Sequence, residues 1–510
     1  MRFLMAVLAG VAGVMAAAPG PQITVRARNV PVEGVAAAPS LATGSEGTVW
    51  LSWIETTPAG PADGLTSPAH GHGKPAPAAR LRLARLDDDC AVRAVAPLPA
   101  EGSQAPSLAE VPPLAVGGDG RVHVVWLDGE MKAQRAVFDP LAPAKTAPDA
   151  GSWSQPEPFT RAPGDRERFA LARLEDGRVL AAWLDGRDYA RTREQTLRAR
   201  IVDAPDDAEQ VVAPRVCECC ETSLTPLRDG GALLAFRGRD DQEVRDIHVA
   251  RWRDGAWSKP QVVNPDGWRI KGCPVNGPRV HGDGSRAALA WFTAANGAAR
   301  VLASVTPDAA GQWLMPLRVD EGEPAGHVDT VRLQDGAVLV TWLRTDGSLW
   351  LRRLKPEHAA GAVVRLTPAG GVAPRTAPRI VLRQDYAGGD TEAVVLVAHQ
   401  RPAGGLGLLE VRVPEGALRR QELDCGCAPA ADELRGYPVR GRVLDGAAAG
   451  RIRIVHTEVP GVLPAGRREC AIDPADRLAL AGHAEFLGRI EADGGGWKLF
   501  AVKALAAPLR

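Results

Sequence analysis

The chain has 510 residues, 45% of them hydrophobic, with Lys plus Arg and Asp plus Glu balanced at 61 each. A net charge of zero argues against a nucleic-acid partner, because such partners select for a basic surface. The 55 glycines and 42 prolines favour a fold with many turns and disfavour a helical one.

The first 18 residues have the pattern of a secretory signal peptide. Arg2 supplies a positive charge, a short apolar run follows, and the small residues Ala16 to Ala18 end the segment. A membrane anchor is the alternative, but the apolar run is short for a bilayer span. We therefore predict export to a bacterial periplasm, with no membrane anchor after cleavage. Cysteines can form disulfides in that compartment.

A turn-and-strand pattern then repeats along the chain. In each clear copy, an Asp-Gly turn precedes a short apolar strand that ends on or near a large aromatic residue. The five clear copies begin at Asp119, Asp176, Asp229, Asp283 and Asp335, with spacings of 57, 53, 54 and 52 residues. Such a period of short strands and tight hairpins predicts a β-propeller over residues 21–423. A looser copy before these and a degraded copy after them leave six or seven blades open.

Two structural expectations follow from the propeller. The strand-like segment from Ile23 to Arg28 is expected to close the last blade, as N-terminal strands often do in closed rings. The aromatic residues that end the second strands are expected to pack between neighbouring blades. The clearest of these are Trp126, Trp183, Trp291 and Trp342.

Four cysteines lie at equivalent places in the repeat. Cys217, Cys219 and Cys220 precede the first strand of the fourth blade, and Cys273 precedes that of the fifth. Connections of this kind all lie on one face of a propeller, at the mouth of the central channel. The four sulfurs are therefore expected to converge there.

Two interpretations of these cysteines remain open. In an exported protein they can form disulfides that brace the loops, with one of the three clustered cysteines bonded to Cys273. Clustered thiolates also suit a soft metal ion such as Cu(I). Structural zinc is disfavoured because a second Cys-x2-Cys pair is missing from the cluster.

Charged residues and one asparagine on the loops of the same face are candidates for binding at the channel mouth. They follow the second strands of the third and fourth blades or accompany Cys273. The set is Asp185, Arg187, Arg237, Arg239, Asp241, Arg245 and Asn276.

The spacing and strand pattern resemble the sialidase-like propellers over residues 21–423. That resemblance implies a glycan-directed hydrolase with a tyrosine nucleophile, an acidic partner and an arginine clamp. Neither the Phe/Tyr-Arg-Ile-Pro motif nor the Ser-x-Asp-x-Gly-x-Thr-Trp turn of that family occurs here. No catalytic residue is therefore assigned, since a shared fold does not carry its chemistry.

The repeat ends near Leu423, and residues 424–434 are predicted to be a linker. Residues 435–510 contain several short strand-like runs, which predict a small OB-like β-barrel. In this part, the segment from Val455 to Ala465 resembles the periplasmic copper/silver-binding efflux chaperone family. That family reads His-x-x-hydrophobic-Pro-Gly-x-Met-Pro-Ala-Met-x-Met-x-Phe.

The match to that family is partial. His456 stands at the family's histidine, but Leu463, Gly466 and Arg468 stand at the methionine positions, and Cys470 replaces the phenylalanine. The barrel is therefore either a structural copy without the ligands or a rebuilt site that uses His456 and Cys470.

The sequence thus predicts an exported, all-β protein, in which a six- or seven-bladed sialidase-like propeller is followed by an OB-like barrel. Its predicted function is the handling of a soft metal, with Cu(I) as the ion and a periplasmic metal-handling protein as the partner. The candidate ligands are Cys217, Cys219, Cys220, Cys273 and His456. A glycan-directed hydrolase and a non-catalytic, disulfide-braced binding module are the alternatives.

Overall fold

The computed structural model of the chain describes most of residues 23–414 and the strands of the C-terminal part. The described ranges are 23–44, 47–56, 79–87, 89–94, 97–99, 111–142, 151–160, 166–282, 284, 286–306, 312–355, 358–374, 376–384, 392–414, 437–444, 450–456, 466–472, 474, 485–493 and 496–505. The predicted signal peptide and the predicted linker lie outside these ranges. Among the described residues, no helix is long and apolar enough to cross a lipid bilayer.

The described residues before position 415 form seven separate antiparallel sheets. The strands of the first three are β1 (Thr24–Arg28, which joins the last sheet); β2 (Val35–Thr43), β3 (Val49–Thr56), β4 (Ala79–Leu86), β5 (Val92–Ala94); β6 (Leu114–Val116), β7 (Val122–Leu127), β8 (Ala133–Asp139), β9 (Ser152–Trp153), β10 (Glu157–Pro158); and β11 (Arg166–Arg173), β12 (Val179–Asp185), β13 (Gln195–Ile201), β14 (Gln210–Val216). A short helix α1 (Tyr189–Thr192) connects β12 to β13.

The other four sheets continue in chain order. Their strands are β15 (Ser223–Pro226), β16 (Ala232–Arg237), β17 (Ile247–Arg253), β18 (Ala256–Trp257), β19 (Gln261–Asn264); β20 (Arg279–Gly282), β21 (Ala287–Thr293), β22 (Arg300–Thr306), β23 (Leu317–Arg318); β24 (Pro324–Arg332), β25 (Val338–Arg344), β26 (Leu349–Leu354), β27 (Ala360–Arg365); and β28 (Arg379–Gln384), β29 (Glu392–Arg401), β30 (Gly405–Pro414). Single-turn 3-10 helices lie at Asp206–Ala208 and Ala295–Gly297.

The first strands of the seven sheets contact one another in a cycle. Strand β2 contacts β6, and the contacts continue through β11, β15, β20, β24 and β28 back to β2. This closed cycle is the arrangement of a β-propeller, with the first strand of each sheet innermost. The described residues therefore form the predicted propeller, and the sheets they contain number seven.

The ring closes through the N-terminal strand, as expected. Strand β1 pairs antiparallel with β30, with Thr24 opposite Arg412 and Arg28 opposite Leu408. The guanidinium of Arg28 also donates to the buried carboxylate of Glu410, from Nε at 2.7 Å. The seventh sheet therefore has four strands, three from the C-terminal end of the propeller sequence and one, β1, from its N-terminal end.

The repeated Asp-Gly turns have a shared local cause. The aspartate carboxylate accepts a backbone N–H two residues later, at 3.0 Å from Arg121 to Asp119 and at 3.0 Å from Arg178 to Asp176. The glycine between them has a positive φ, +80° at Gly120, which only glycine adopts without strain. Each turn thereby sets the register of the hairpin that follows it.

The tryptophans pack between sheets, also as expected. Trp183 is fully buried and lies in a cluster with Val125 and Leu127 of the second sheet. Trp291 packs in the same way against the fourth sheet, and Trp342 against the fifth. Each sheet thus buries its large aromatic residue only when its neighbour is present.

The C-terminal strands form a closed five-stranded barrel in the order β31-β32-β33-β35-β34, with β33 and β35 parallel. They are β31 (Tyr437–Leu444), β32 (Arg451–His456), β33 (Gly466–Ile472), β34 (Glu485–Asp493) and β35 (Gly496–Leu505). The small barrel that the sequence predicted is therefore present, and its assignment to the OB class stays a prediction.

Candidate thiol site between the fourth and fifth sheets

Two chain segments meet at the cysteines. One runs from Cys217 to Thr222 between β14 and β15, and the other runs from Cys273 to Pro278 between β19 and β20. Their backbones touch at Gly277, where an added Cβ would lie 2.0 Å from the carbonyl oxygen of Glu221. Only glycine allows this approach, so the sequence itself brings the two segments together.

The cysteine at the start of the second segment is bonded to the first segment. Cys219 and Cys273 form a disulfide, and their Cα atoms are 6.0 Å apart, within the usual span for such a bond. The predicted convergence of the two segments is therefore present. Of the two interpretations, disulfide or metal site, the structure has the disulfide for this pair. Cys273 is exposed and Cys219 is half-buried.

The other two cysteines of the cluster are reduced and buried. The sulfurs of Cys217 and Cys220 lie 2.8 Å apart, and the Cys217 sulfur lies 3.9 Å from that of Cys219. The three sulfurs all lie within 4.8 Å of one another. Cys217 and Cys220 also have Cys-x-x-Cys spacing, a redox signal that the sequence analysis did not use.

The two buried thiols have opposite acidities. A hydrogen bond with Cys220 lowers the pKa of the Cys217 thiol to about 6, against the opposing effect of burial and with help from the charges of Arg237 and Arg245. Burial, together with the neighbouring sulfur of Cys217, raises the pKa of Cys220 well above its ordinary value. Cys217 is therefore the thiol of the pair that ionises more readily, and Cys220 is the one that keeps its proton.

Two arginines of the candidate set place positive charge near the Cys217 sulfur, and one of them contacts it. Arg245 donates from Nη1 to the Cys217 sulfur at 3.2 Å and to Glu218 at 2.8 Å, and from Nη2 to Glu243 at 2.7 Å. Arg237 donates to backbone carbonyls, including that of Asn276 at 3.0 Å. Both guanidinium groups are buried, so they place positive charge beside the thiols in a region of low dielectric constant.

Asn276 and Arg239 brace the surroundings of the cluster. The Asn276 side chain accepts the N–H of His327 at 2.6 Å and donates to the carbonyl of Ala325 at 3.2 Å, which ties the second segment to the sixth sheet. Arg239 pairs with Glu243 at 2.7 Å and also with Glu218.

The remaining candidates lie in other environments. The buried Asp185 accepts from Trp183 at 3.0 Å and from Nε of Arg187 at 2.7 Å, and Arg187 also pairs with Glu209, which ties both candidates to the third sheet. Asp241 pairs with Arg215, but its side chain is 96% exposed.

A half-buried charged cluster next to the cysteines was not predicted from the sequence. The carboxylate of Glu221 accepts from Arg379 at 2.9 Å and from Arg279, which joins the fourth, fifth and seventh sheets. Burial opposes its ionisation, but the charges of Arg379, Arg279 and Arg168 hold its pKa well below the ordinary value. A repeated Pro-Arg-apolar motif could have indicated this charged cluster. It occurs as Pro278-Arg279-Val280 and as Pro378-Arg379-Ile380, each at the start of an innermost strand.

The predicted ligands of the barrel do not lie together. His456 is opposite Gly466 in the β32–β33 pair, whereas Cys470 is opposite Ile452. Four residues along a strand span about 13 Å, too far for His456 and Cys470 to share one ion directly. Cys470 instead lies in the apolar barrel core with Ile454 and Phe486, where burial raises its pKa to about 11.

Neither a protein-family model nor a curated protein matches the chain. Among solved structures, a Burkholderia pseudomallei lectin aligns at 11% identity and a TM-score of 0.45, over 74% of this chain and 98% of the lectin. A Penicillium chrysogenum α-L-arabinanase aligns at 9% identity and 0.40, over 78% and 98%. An ulvan lyase of polysaccharide lyase family PL25 aligns at 10% identity and 0.44, over 75% and 95%. At these values none of the three bears on the function of this chain.

Proposed function

We propose that this protein binds a soft metal ion, Cu(I), through Cys217, Cys219, Cys220 and Cys273 when the Cys219–Cys273 disulfide is reduced. The observation that carries the proposal is the crowding of the sulfurs. Three lie within 4.8 Å of one another, and the fourth is bonded to one of the three. Reduction leaves four thiols from two segments around one point.

The donor set suits this ion by its chemistry. Thiolates are soft ligands that select Cu(I) over hard cations, and a ligand thiol must be deprotonated to bind. Cys217 meets this condition near neutral pH, since its pKa is lowered to about 6 by the hydrogen bond with Cys220. Metal binding would deprotonate the other thiols with release of protons.

The charges around the cluster also support the proposal. Several thiolates around one Cu(I) ion carry a net negative charge, which is costly to bury without a counter-charge. Arg245 contacts the Cys217 sulfur at 3.2 Å, and Arg237 donates its hydrogen bonds to neutral carbonyls. Arg245 also pairs with Glu218 and Glu243, so Arg237 is the buried cation that offsets the charge of the thiolates.

The propeller rather than the barrel carries the proposed site. The barrel retains His456 of the chaperone pattern but has Leu463, Gly466 and Arg468 at the thioether positions. We therefore propose that the barrel alone binds Cu(I) weakly at best, and that a periplasmic metal-handling protein exchanges the ion with the propeller.

Competition with a chromogenic Cu(I) chelator tests the proposal on the full chain. We expect the reduced protein to withdraw one equivalent of Cu(I) from the chelator and the protein with an intact disulfide to withdraw much less. Cys220→Ser should weaken binding by at least about tenfold, the effect of about 1.4 kcal/mol. Cys470→Ser is the matched control, because that thiol is buried but far from the cluster in sequence, and it should leave the affinity unchanged.

Two results would contradict the proposal. One is failure of the fully reduced protein to compete with the chelator, and the other is an equal loss of affinity in the Cys220 and Cys470 variants. If reduction also lowered the melting temperature, the first result would favour the disulfide-braced binding module. Release of a fluorophore from a glycoside substrate would favour the glycan-directed hydrolase.

A further inference from the structure

We propose that the same four cysteines form a thiol–disulfide exchange centre, in which an electron pair passes between the Cys219–Cys273 pair at the surface and the buried Cys217–Cys220 pair. The chain would then interconvert two single-disulfide forms. The inference rests on the proposed metal site only for its biological consequence, since the exchange itself needs no metal.

The distances within the first segment support a transfer between the two pairs. The Cys217 sulfur lies 3.9 Å from the sulfur of Cys219, one end of the disulfide, and 2.8 Å from the sulfur of Cys220. Cys217 is therefore within reach of both the bond to be broken and the thiol that completes the exchange. Its Cys-x-x-Cys spacing to Cys220 allows a disulfide between the two residues without unfolding of a strand.

The exposure of the two pairs differs. Cys217 and Cys220 are 1% and 2% exposed, whereas Cys273 is exposed to solvent. A small thiol or disulfide in solution can thus reach Cys273 but not the buried pair. Exchange within the cluster is the route by which the buried pair can be oxidised or reduced while the ring stays folded.

The exchange proceeds in two displacement steps. In the first, the Cys217 thiolate forms a bond to the Cys219 sulfur, the Cys219–Cys273 bond breaks, and its electron pair leaves on the Cys273 sulfur. In the second, the Cys220 sulfur gives up its proton and bonds to the Cys217 sulfur, and the electron pair of the Cys217–Cys219 bond leaves on Cys219. One disulfide is lost and one is formed, so no external oxidant or reductant is required. The proton released by Cys220 is taken up by a freed thiol.

The surroundings favour confinement of the exchange to these four residues. Gly277 keeps the two segments in backbone contact, so the freed Cys273 stays near the other sulfurs. The remaining described thiols, Cys90 and Cys470, are buried in separate hydrophobic clusters. For the proposed metal site, each single-disulfide form retains two thiols, so the four-thiol site forms only when the remaining disulfide is reduced.

Disulfide mapping without metal tests the exchange. Fully reduced full-length protein is oxidised with one equivalent of diamide in the presence of a metal chelator and left to equilibrate. The reaction is then quenched in acid, and the protein is denatured and alkylated. Cleavage after glutamate separates Cys217 from Cys219 at Glu218, and fragmentation of the peptides by mass spectrometry separates Cys219 from Cys220. Cys220→Ser, Cys273→Ser and the control Cys90→Ser are treated in parallel, with circular dichroism to verify folding.

We expect both linkages, Cys219–Cys273 and Cys217–Cys220, in the wild-type protein and in Cys90→Ser. Cys273→Ser should hold the Cys217–Cys220 linkage, and Cys220→Ser should lack it and retain Cys219–Cys273. Either single-disulfide form of the wild-type protein, once isolated, should convert back to the mixture of both forms at neutral pH. A wild-type protein that keeps one linkage only, or an isolated form that does not convert, would overturn the exchange. Neither result depends on whether Cu(I) binds, so the two proposals can fail separately.

Discussion

Cys217 in the propeller and Cys470 in the barrel are equally buried, at 1% and 0% exposed, yet their acidities differ in opposite directions. The pKa of Cys217 is lowered to about 6, whereas that of Cys470 is raised to about 11. Cys470 has apolar neighbours in the barrel core, and for its pKa the effect of burial outweighs the opposing charges of Arg468 and Arg451. Cys217 has a thiol at 2.8 Å and an arginine at 3.2 Å. Burial therefore does not decide the chemistry of a cysteine here, because the polar groups buried with it do.

The largest expected effect is on thiol ionisation itself. The ultraviolet absorbance of thiolate should rise around pH 6 in the wild-type protein, with the Cys219–Cys273 disulfide intact, because Cys217 ionises there. Cys217→Ser should remove this rise, and Cys470→Ser should leave it in place. A rise near pH 6 that survives in Cys217→Ser would contradict the assignment.

The same shift predicts a pH dependence of stability. The folded state binds the Cys217 proton less tightly than the unfolded state, so the folded state gains stability as pH rises from about 6 towards the ordinary value of 9.0. Below about pH 6 the gain is lost. Denaturant unfolding should therefore show a gap between wild type and Cys217→Ser that widens with pH in this window. A constant gap would show that the thiolate is not favoured by folding.

Gly277→Ala tests what brings the thiols together. Its Cβ would lie 2.0 Å from the carbonyl of Glu221, and relief of such an overlap typically costs about 1–3 kcal/mol. The free energy of unfolding should fall by this amount, and the yield of the Cys219–Cys273 disulfide should fall with it. Gly405→Ala is the matched control, since its nearest contact is an arginine side-chain atom at 3.9 Å. Equal stability of both variants would contradict the close approach.

Arg245→Met separates the arginine from the neighbouring sulfur as a cause. Loss of the hydrogen bond and of the positive charge should raise the pKa of Cys217 from its value of about 6, so that the thiolate absorbance appears at higher pH. Arg239→Met is matched to it, because Arg239 also pairs with Glu218 and Glu243. That variant should move the thiolate absorbance less. An equal shift in both would assign the effect to the acidic residues.

The smallest effect is expected at Asp241. Its side chain is 96% exposed and pairs with Arg215, and exposed ion pairs contribute about 0–1 kcal/mol. Asp241→Ala should therefore change neither the unfolding midpoint nor the ionisation of Cys217 beyond error. A measurable shift in that ionisation would show that the exposed loop charges act on the cluster.

The propeller could be predicted because its signals are local. Asp119 and Asp176 fix their turns with contacts two residues away, so each repeat is visible in a short stretch of sequence. The approach of the cysteine segments could also be predicted, since it follows from their equivalent places in adjacent blades.

Which of the three clustered cysteines bonds to Cys273 could not be predicted, because the pairing depends on non-local contacts. The carbonyl of Glu221 lies against Gly277, and its carboxylate bonds to Arg379, 158 residues away. In the barrel, the sequence pattern placed His456 at a ligand position of one family and Cys470 at its phenylalanine position, from which it could serve in a rebuilt site. The register of β32 against β33 separates the two residues. A linear motif specifies residue types and spacing, and only the pairing of strands specifies which of them meet.

The pairing of β1 with β30 has a consequence for the order of folding. The Arg28–Glu410 contact joins residues 382 positions apart, so the last sheet cannot be completed until almost the whole propeller has been synthesised. Formation of such a distant contact carries a large loop-closure entropy and tends to be slow. Closure of the ring by the N-terminal strand would thus be a late event in folding, and until then β30 is the edge strand of the seventh sheet.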